Sequence, residues 1–183
     1  MQNLLPQNSS IPILGICAAG SNAGKTTLIT QLIPELAKRN IRTSVIKHAH
    51  HKFDIDHPGK DSYNIRESGA VQTLIASGKR WALMTEMTRT PHYSDEANLD
   101  ELLAQLNPNY ADLILVEGFK SAVIPKIEVY RTAMDTPLLA PSVADIIAVA
   151  SDVHLDLAVP TLDLNNISAI ADFIMLKIIK PSL

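Results

Sequence analysis

The sequence predicts an α/β fold: a mostly parallel sheet with helices on both faces. Three observations carry that expectation. Runs such as "IPILGICAA", "ADLILVEGF" and "DIIAVAS" are nearly continuous in apolar residues, the mark of strands buried on both sides. Segments with apolar residues at three- and four-residue spacing alternate with them, as crossover helices require. The first run also passes through a short glycine-bearing turn into Lys25-Thr26-Thr27 and then into a helical pattern.

Taken in order, "IPILGICAA" is the first strand, and Lys25 to Arg39 is a helix with Leu28, Leu32 and Leu36 on one stripe and Pro34 as the point of a kink. "RTSVIKHAH" is the second strand. "KDSYNIRES" predicts a short helix with Asp61 as its N-cap and Gly69 as its stop. "VQTLIAS" and "RWALMTE", separated by Gly78-Lys79, predict a hairpin. A capped amphipathic helix over "SDEANLDELLAQL" follows, then strands over "ADLILVEGF", "PKIEVYR" and "DIIAVAS", and a closing helix over "NISAIADFIMLKII". Met87 to Ser94 and Thr132 to Val143 read as loops. There is no internal repeat or low-complexity tract, so the reading is one domain over residues 1–183 with a small β insertion around 79–95.

A chain of 183 residues is long enough to bury roughly 70% of the surface its unfolded form exposes. The net charge of −3 argues against a nucleic-acid binder, which carries a basic excess or patch. Cys17 is the single cysteine, so no internal disulfide can form, and its apolar setting makes it a core residue. The start of the chain lacks the basic region of a secretory signal, and its apolar run is too short to cross a bilayer. The expectation is a soluble cytoplasmic protein with no membrane contact.

The turn after the first strand matches the phosphate-binding loop (P-loop), G-x-x-x-x-G-K-[ST]. Aligned on Gly24-Lys25-Thr26, the first position falls on Ala19, with Gly20 one place later. The exception is tolerable if Ala19 takes the needed backbone angles, because the work falls to backbone N–H groups from about Ser21 to Thr26 converging at a helix N-terminus. Gly20, Ser21, Asn22, Ala23, Gly24, Lys25, Thr26 and Thr27 are the expected nucleotide-binding residues of the loop. Lys25 reaches terminal phosphates, and the Thr26 hydroxyl is a ligand for Mg²⁺. A second acid belongs at the carboxyl end of another buried strand. Glu117, closing "LILVE" before Gly118, supplies it as a metal ligand or water-positioning group. Lys25 and Glu117 are thus the expected catalytic residues, and Thr26 and Glu117 the expected metal ligands. Asp61 is a further candidate for the nucleotide site. Lys47, Lys60, Lys120 and Arg131 flank strand ends or loops and supply charge for an anionic ligand; of these Lys120, three residues after Glu117, is the one expected to bind it.

Together "GKTTL", "KHAHH", "DHPGKDSY", "ASGKRWALMTE", "LILVEGFK" and "AVASD" resemble the molybdopterin-guanine dinucleotide biosynthesis protein B (MobB) family, from about Ile13 to Phe173. Each motif is weak alone; their joint order and spacing are specific. The resemblance implies a P-loop NTPase fold of the class that includes dethiobiotin synthetase and nickel-insertion GTPases. It implies a homodimeric GTP-binding protein with weak GTPase activity. As its partners it implies molybdopterin guanylyltransferase and molybdopterin or its molybdenum form. GTP and Mg²⁺ are the expected cofactors. "MTRTPHYSDEA" matches no motif of the family.

Guanine presents donors at N1 and N2 that one carboxylate can accept together. With no Asn-Lys-x-Asp motif present, Asp152 after "IIAVAS" is the expected base reader. Two other readings use the same loop: an ATP-dependent kinase or ligase of the dethiobiotin synthetase type, and a metallochaperone GTPase using the cluster His48, His50, His51 and His57 with Asp54 and Asp56. For that cluster a transition-metal site, a phosphate or pterin contact, and a solvated loop all remain open. "RWALMTE" and "PKIEVYR" are expected as edge strands that pair across a dimer axis.

Overall fold

The computed structural model describes residues 11–49, 53–91 and 93–180. The chain forms two compact units, one of residues 1–48 and 98–183, the other of residues 49–97.

In the first unit, β1 (Ile13–Cys17), β2 (Thr43–Lys47), β5 (Leu113–Glu117), β6 (Lys126–Tyr130), β7 (Ile146–Ser151) and β8 (Thr161–Asp163) form one sheet in the order β2-β5-β1-β6-β7-β8. Every neighbouring pair is parallel. The strands alternate faces as the pleat requires. Leu14, Ile16, Leu113, Leu115, Ile127 and Val129 face α1 (Lys25–Ala37) and α4 (Ile167–Ile174), whose Leu28, Leu32, Leu36, Ile170 and Ile174 complete that core. On the other face Ile46, Ile114 and Val116 pack with Leu99 and Leu103 of α3 (Leu99–Leu103). Further along, the loop apolar residues Leu138, Leu139, Leu155 and Leu157 cover Cys17, Ile146 and Val149. The α/β expectation, with helices on both faces, is met. Cys17 is buried, and desolvation, reinforced by Glu128, raises its thiol to about 11. It is an inert core group.

The second unit holds α2 (Asp61–Glu67) and the antiparallel pair β3 (Gln72–Ala76) and β4 (Trp81–Thr85), the expected hairpin. It begins well before residue 79, with Ala49. Arg66 organises it, bonding Asp56 at 3.0 Å, Glu67 at 3.0 Å, Glu86 at 3.2 Å and Asp54 at 3.3 Å. Arg89 donates to the carbonyls of Arg66 and Ala70.

Several local expectations are corrected. β6 is interior to the sheet, between β1 and β7. Its charged residues are buried: Glu128 accepts from the backbone N–H groups of Leu139 and Ala140, and Lys126 donates to the carbonyls of Ala122 and Ile124. Lys126 crosses beneath Gly15, where a Cβ would stand 2.9 Å from Lys126 Cγ. Asp61 is the first residue of α2 rather than its cap; Lys60 holds that position with no side-chain bond, while Gly69, at φ 111°, ends the helix as expected. The cap of α3 is Asn98, whose Oδ1 accepts from Asp100 and Glu101. Pro34 lies inside a helix that runs on to Ala37. The closing helix passes into a π-helical turn over Met175–Ile179, and the three-residue β8 was not expected.

Candidate functional site

The phosphate-binding loop leaves β1 at Ala18 and enters α1 at Lys25. Ala23 is buried in the core beneath α1 and α4, which anchors the loop while Ser21 and Asn22 stay exposed. Asn22 at φ 60° and Gly24 at φ 97° adopt the left-handed region, turning successive N–H groups toward one concavity. The left-handed φ is what calls for glycine at position 24; a Cβ there would stand 3.3 Å from Arg131 Nε, at the far end of a flexible side chain. As N-cap, Gly24 brings no side chain to the free amides of the first turn, which stay available to an anion.

Four charged side chains surround the loop. Lys25 Nζ folds back to the Gly20 carbonyl at 3.1 Å. Lys120 Nζ reaches the Ala19 carbonyl at 2.7 Å, tying the segment after β5 to the start of the loop. The Thr26 hydroxyl donates to Glu117 Oε1 at 2.9 Å. Lys47 Nζ touches both, at 3.1 Å from Thr26 Oγ1 and 3.2 Å from Glu117 Oε1. Burial lowers the Lys25 pKa; Glu117 opposes that shift, and the like charges of Lys120 and Lys47 add to it. Gly118, at φ 92°, turns the chain immediately after Glu117, and a Cβ there would lie 2.8 Å from His48 Cβ. His48 in turn stacks on Phe119, ring centroids 4.7 Å apart.

The geometry of the donor set suits a divalent cation. Thr26 Oγ1 and Glu117 Oε1 are hard oxygen ligands 2.9 Å apart, close to the spacing of two adjacent ligands on an octahedron with metal–oxygen distances of about 2.1 Å. A cationic nitrogen already stands against both. The residues fit Mg²⁺.

Beside the loop lies a pocket of about 160 Å³ lined by Gly24, Thr27, Leu28, Gln31, Arg131 and the β8–α4 turn at Leu164, Asn165 and Ile167. It is too small for a whole nucleotide. Sequence reading missed it because Gln31 and Asn165 carry no motif and meet only in the fold. Asp152 closes on the turn after β6: its Oδ1 accepts from Thr132 N and Oγ1, both at 3.1 Å. The bond from the Thr132 backbone is the main cause that lowers its pKa.

The first unit therefore brings together Gly20 to Thr27, Glu117, Lys47, Lys120, Arg131 and Asp152. Asp61 and Lys60 belong to the second unit, as do His57, Asp54 and Asp56. His50 and His51 lie outside the described residues. Among the described residues no three His, Cys, Asp or Glu side chains are grouped to hold a metal ion, and no helix is long and apolar enough to cross a membrane.

The family model described as MobB, molybdopterin guanine dinucleotide synthesis protein B, matches residues 13–152. The chain is similar to the molybdopterin-guanine dinucleotide biosynthesis adapter protein of Escherichia coli (strain K12), 49% identical over 166 residues, which cover 90% of this chain and 92% of the relative. The protein of the same name from Haemophilus influenzae is 45% identical over 168 residues, covering 91% and 89%. Among solved structures, a crystal structure of molybdopterin-guanine biosynthesis protein B (mobB) superposes with a TM-score of 0.67 at 28% identity, over 89% of this chain and 97% of that one. A MobB homologue from Bacillus stearothermophilus gives 0.64 at 23% identity, over 89% and 94%, a likeness of fold alone.

Proposed function

Because this chain belongs to the MobB family, we propose that it is a GTP-binding adapter in molybdopterin-guanine dinucleotide biosynthesis, with weak GTPase activity. It assists the guanylyltransferase that attaches GMP to molybdopterin, and works as a homodimer in the cytoplasm. The observation that carries the nucleotide reading is the excess of positive charge at the loop: Lys25, Lys47 and Lys120 gather around a concavity of backbone N–H groups with Glu117 as their nearby acid. Such a site is short of negative charge, and a polyphosphate supplies it.

In this reading Lys25 leaves the Gly20 carbonyl to bind the terminal phosphates, and the amides from Ser21 to Thr27 bind the bridging oxygens. Thr26 and Glu117 hold Mg²⁺, which neutralises phosphate charge when bound. Glu117 also orients the attacking water. Lys120 adds charge at the loop entrance. The pocket between α1 and the β8–α4 turn takes the nucleoside end. Asp152 reads guanine N1 and N2 through its carboxylate, exchanging bonds to Thr132 for bonds to the base. Hydrolysis is slow, on the order of 10⁻³ s⁻¹ or lower, as for loops of this kind without an added arginine.

The test is calorimetric titration of the full chain with GTP and ATP, each with and without Mg²⁺. GTP binding that strengthens with Mg²⁺ and exceeds ATP binding is expected. A preference for ATP overturns the guanylation reading in favour of a kinase or ligase. Glu117→Gln should keep nucleotide affinity within a few fold while hydrolysis falls sharply. Asp152→Asn should lose GTP affinity by about two decades, from a charged hydrogen bond lost and a donor left unpaired, and gain XTP affinity. GTP binding as in the wild type places base reading elsewhere.

A further inference from the structure

We propose that Lys47 is an internal counter-cation: its ammonium holds the divalent-metal position of the nucleotide-free protein, must leave when the metal–nucleotide complex enters, and so sets the metal requirement of the loop. The proposal rests on the reading of Thr26 and Glu117 as the metal's ligands.

The sheet places the three groups together. β2 and β5 run parallel with Lys47 opposite Glu117, and β5 pairs Glu117 with Ile16 of β1. Partners in register share a face, and Ile16 faces α1. Lys47 and Glu117 therefore end their strands on the side where α1 begins, and the Thr26 hydroxyl closes a triangle with sides of 2.9, 3.1 and 3.2 Å.

The polarity of the triangle is what a metal would use. Thr26 gives its proton to Glu117 and turns a lone pair toward Lys47, while Glu117 offers the same oxygen to both partners. A metal ligand needs those same two oxygens facing one cation. The ammonium meets both oxygens while they stand 2.9 Å apart.

Exposure distinguishes the tenant from the site. The Glu117 side chain is 10% exposed, whereas Lys47 is 53% exposed at the end of a flexible four-carbon stem. The carboxylate is fixed and the cation can swing away. An ion pair with one partner in solvent is weak, so removing Lys47 leaves the fold intact. It also removes a competitor that is tethered to the site and therefore present at high effective concentration.

The experiment titrates Mn²⁺ alone into the nucleotide-free full chain and reads free Mn²⁺ by electron paramagnetic resonance. It compares wild type, the neutral variants Lys47→Met and Lys47→Gln, and the charge-retaining Lys47→Arg. Thermal melting shows that each is folded. Both neutral variants should bind Mn²⁺ about five- to tenfold more tightly than wild type, with Lys47→Arg close to wild type. The Mg²⁺ concentration that half-saturates GTP binding should fall in parallel. Mn²⁺ affinity that is unchanged or weaker in both neutral variants overturns the proposal, and is the result expected of a lysine that serves only as a phosphate contact. Adding Thr26→Ala or Glu117→Gln to Lys47→Met separates the layers. Loss of Mn²⁺ binding upholds the ligand reading whatever Lys47 does, whereas undiminished binding removes that reading and the proposal with it.

Discussion

Two charged clusters of this chain are near mirror images in sign. At the phosphate-binding loop, three lysines gather around Glu117, and two of them rest on loop carbonyls. In the second unit one arginine meets four carboxylates, those of Asp54, Asp56, Glu67 and Glu86. The Arg66 cluster is settled, since the guanidinium is shared among four acids and the Asp56 carboxylate is buried against it. Lys25 and Lys120 have provisional partners, neutral loop carbonyls that an anion can replace. A cluster that stabilises a fold is thus told from one that awaits a ligand by which side of the charge balance is left open.

That contrast can be broken from either side. The largest effect on stability is expected from Arg66→Ala, which strands the buried Asp56 carboxylate, one of whose oxygens already has no hydrogen-bond partner. Hydrogen exchange of the β3–β4 amides should accelerate by roughly a hundredfold, while amides of β1 and β5 keep their protection. Equal protection in variant and wild type would make the Arg66 cluster superficial.

Lys25→Ala should do the reverse. It leaves melting unchanged and weakens GTP binding at least tenfold, since a hydrogen bond from a charged donor contributes about 1.5–3 kcal/mol. Unaltered affinity in a calorimetric titration would count against a phosphate cradle.

A smaller effect follows from protonation. Burial lowers the Lys25 pKa, and phosphate binds its charged form. Affinity should therefore be constant at neutral pH and fall as pH rises through that lowered value, before ordinary lysines titrate. Titrations in buffers of different ionisation heat should show proton uptake on the alkaline side; its absence would detach Lys25 from the ligand.

The smallest effect belongs to the exposed Arg42–Asp112 pair, which joins the starts of β2 and β5. Hydrogen bonds from Arg42 lower Asp112 from 3.8 to about 2. Its contribution is present above the unfolded value and is lost as pH falls through about 2. Asp112→Asn should flatten that acid limb of the stability curve and leave nucleotide binding alone.

What the sequence made legible was local. The loop could be read because its glycine, lysine and threonine are contiguous, and Glu117 because four apolar residues precede it. The order of strands was not legible, and with it went the meeting of Lys47, Glu117 and Thr26, which depends on β5 lying between β2 and β1. β6 misled because alternating Lys126, Glu128 and Tyr130 mimic a solvated face; loop carbonyls and amides satisfy the two charges inside the protein instead. β8 was too short to show a period. The pocket at Gln31 and Asn165 depends on the packing of α1 beside the β8–α4 turn, which no spacing encodes.

Gly15 and Lys126 occupy a single volume, since the lysine stem lies where a side chain on β1 would begin. In divergence the two positions therefore behave as one locus. A descendant that acquires alanine at position 15 must first have shortened or redirected residue 126, a step that leaves a gap, whereas the reverse order begins with a collision. A scan of single substitutions would score position 15 as intolerant, while a library varying both would recover alanine there. The strand that launches the phosphate-binding loop thus has its evolutionary freedom set by its neighbour.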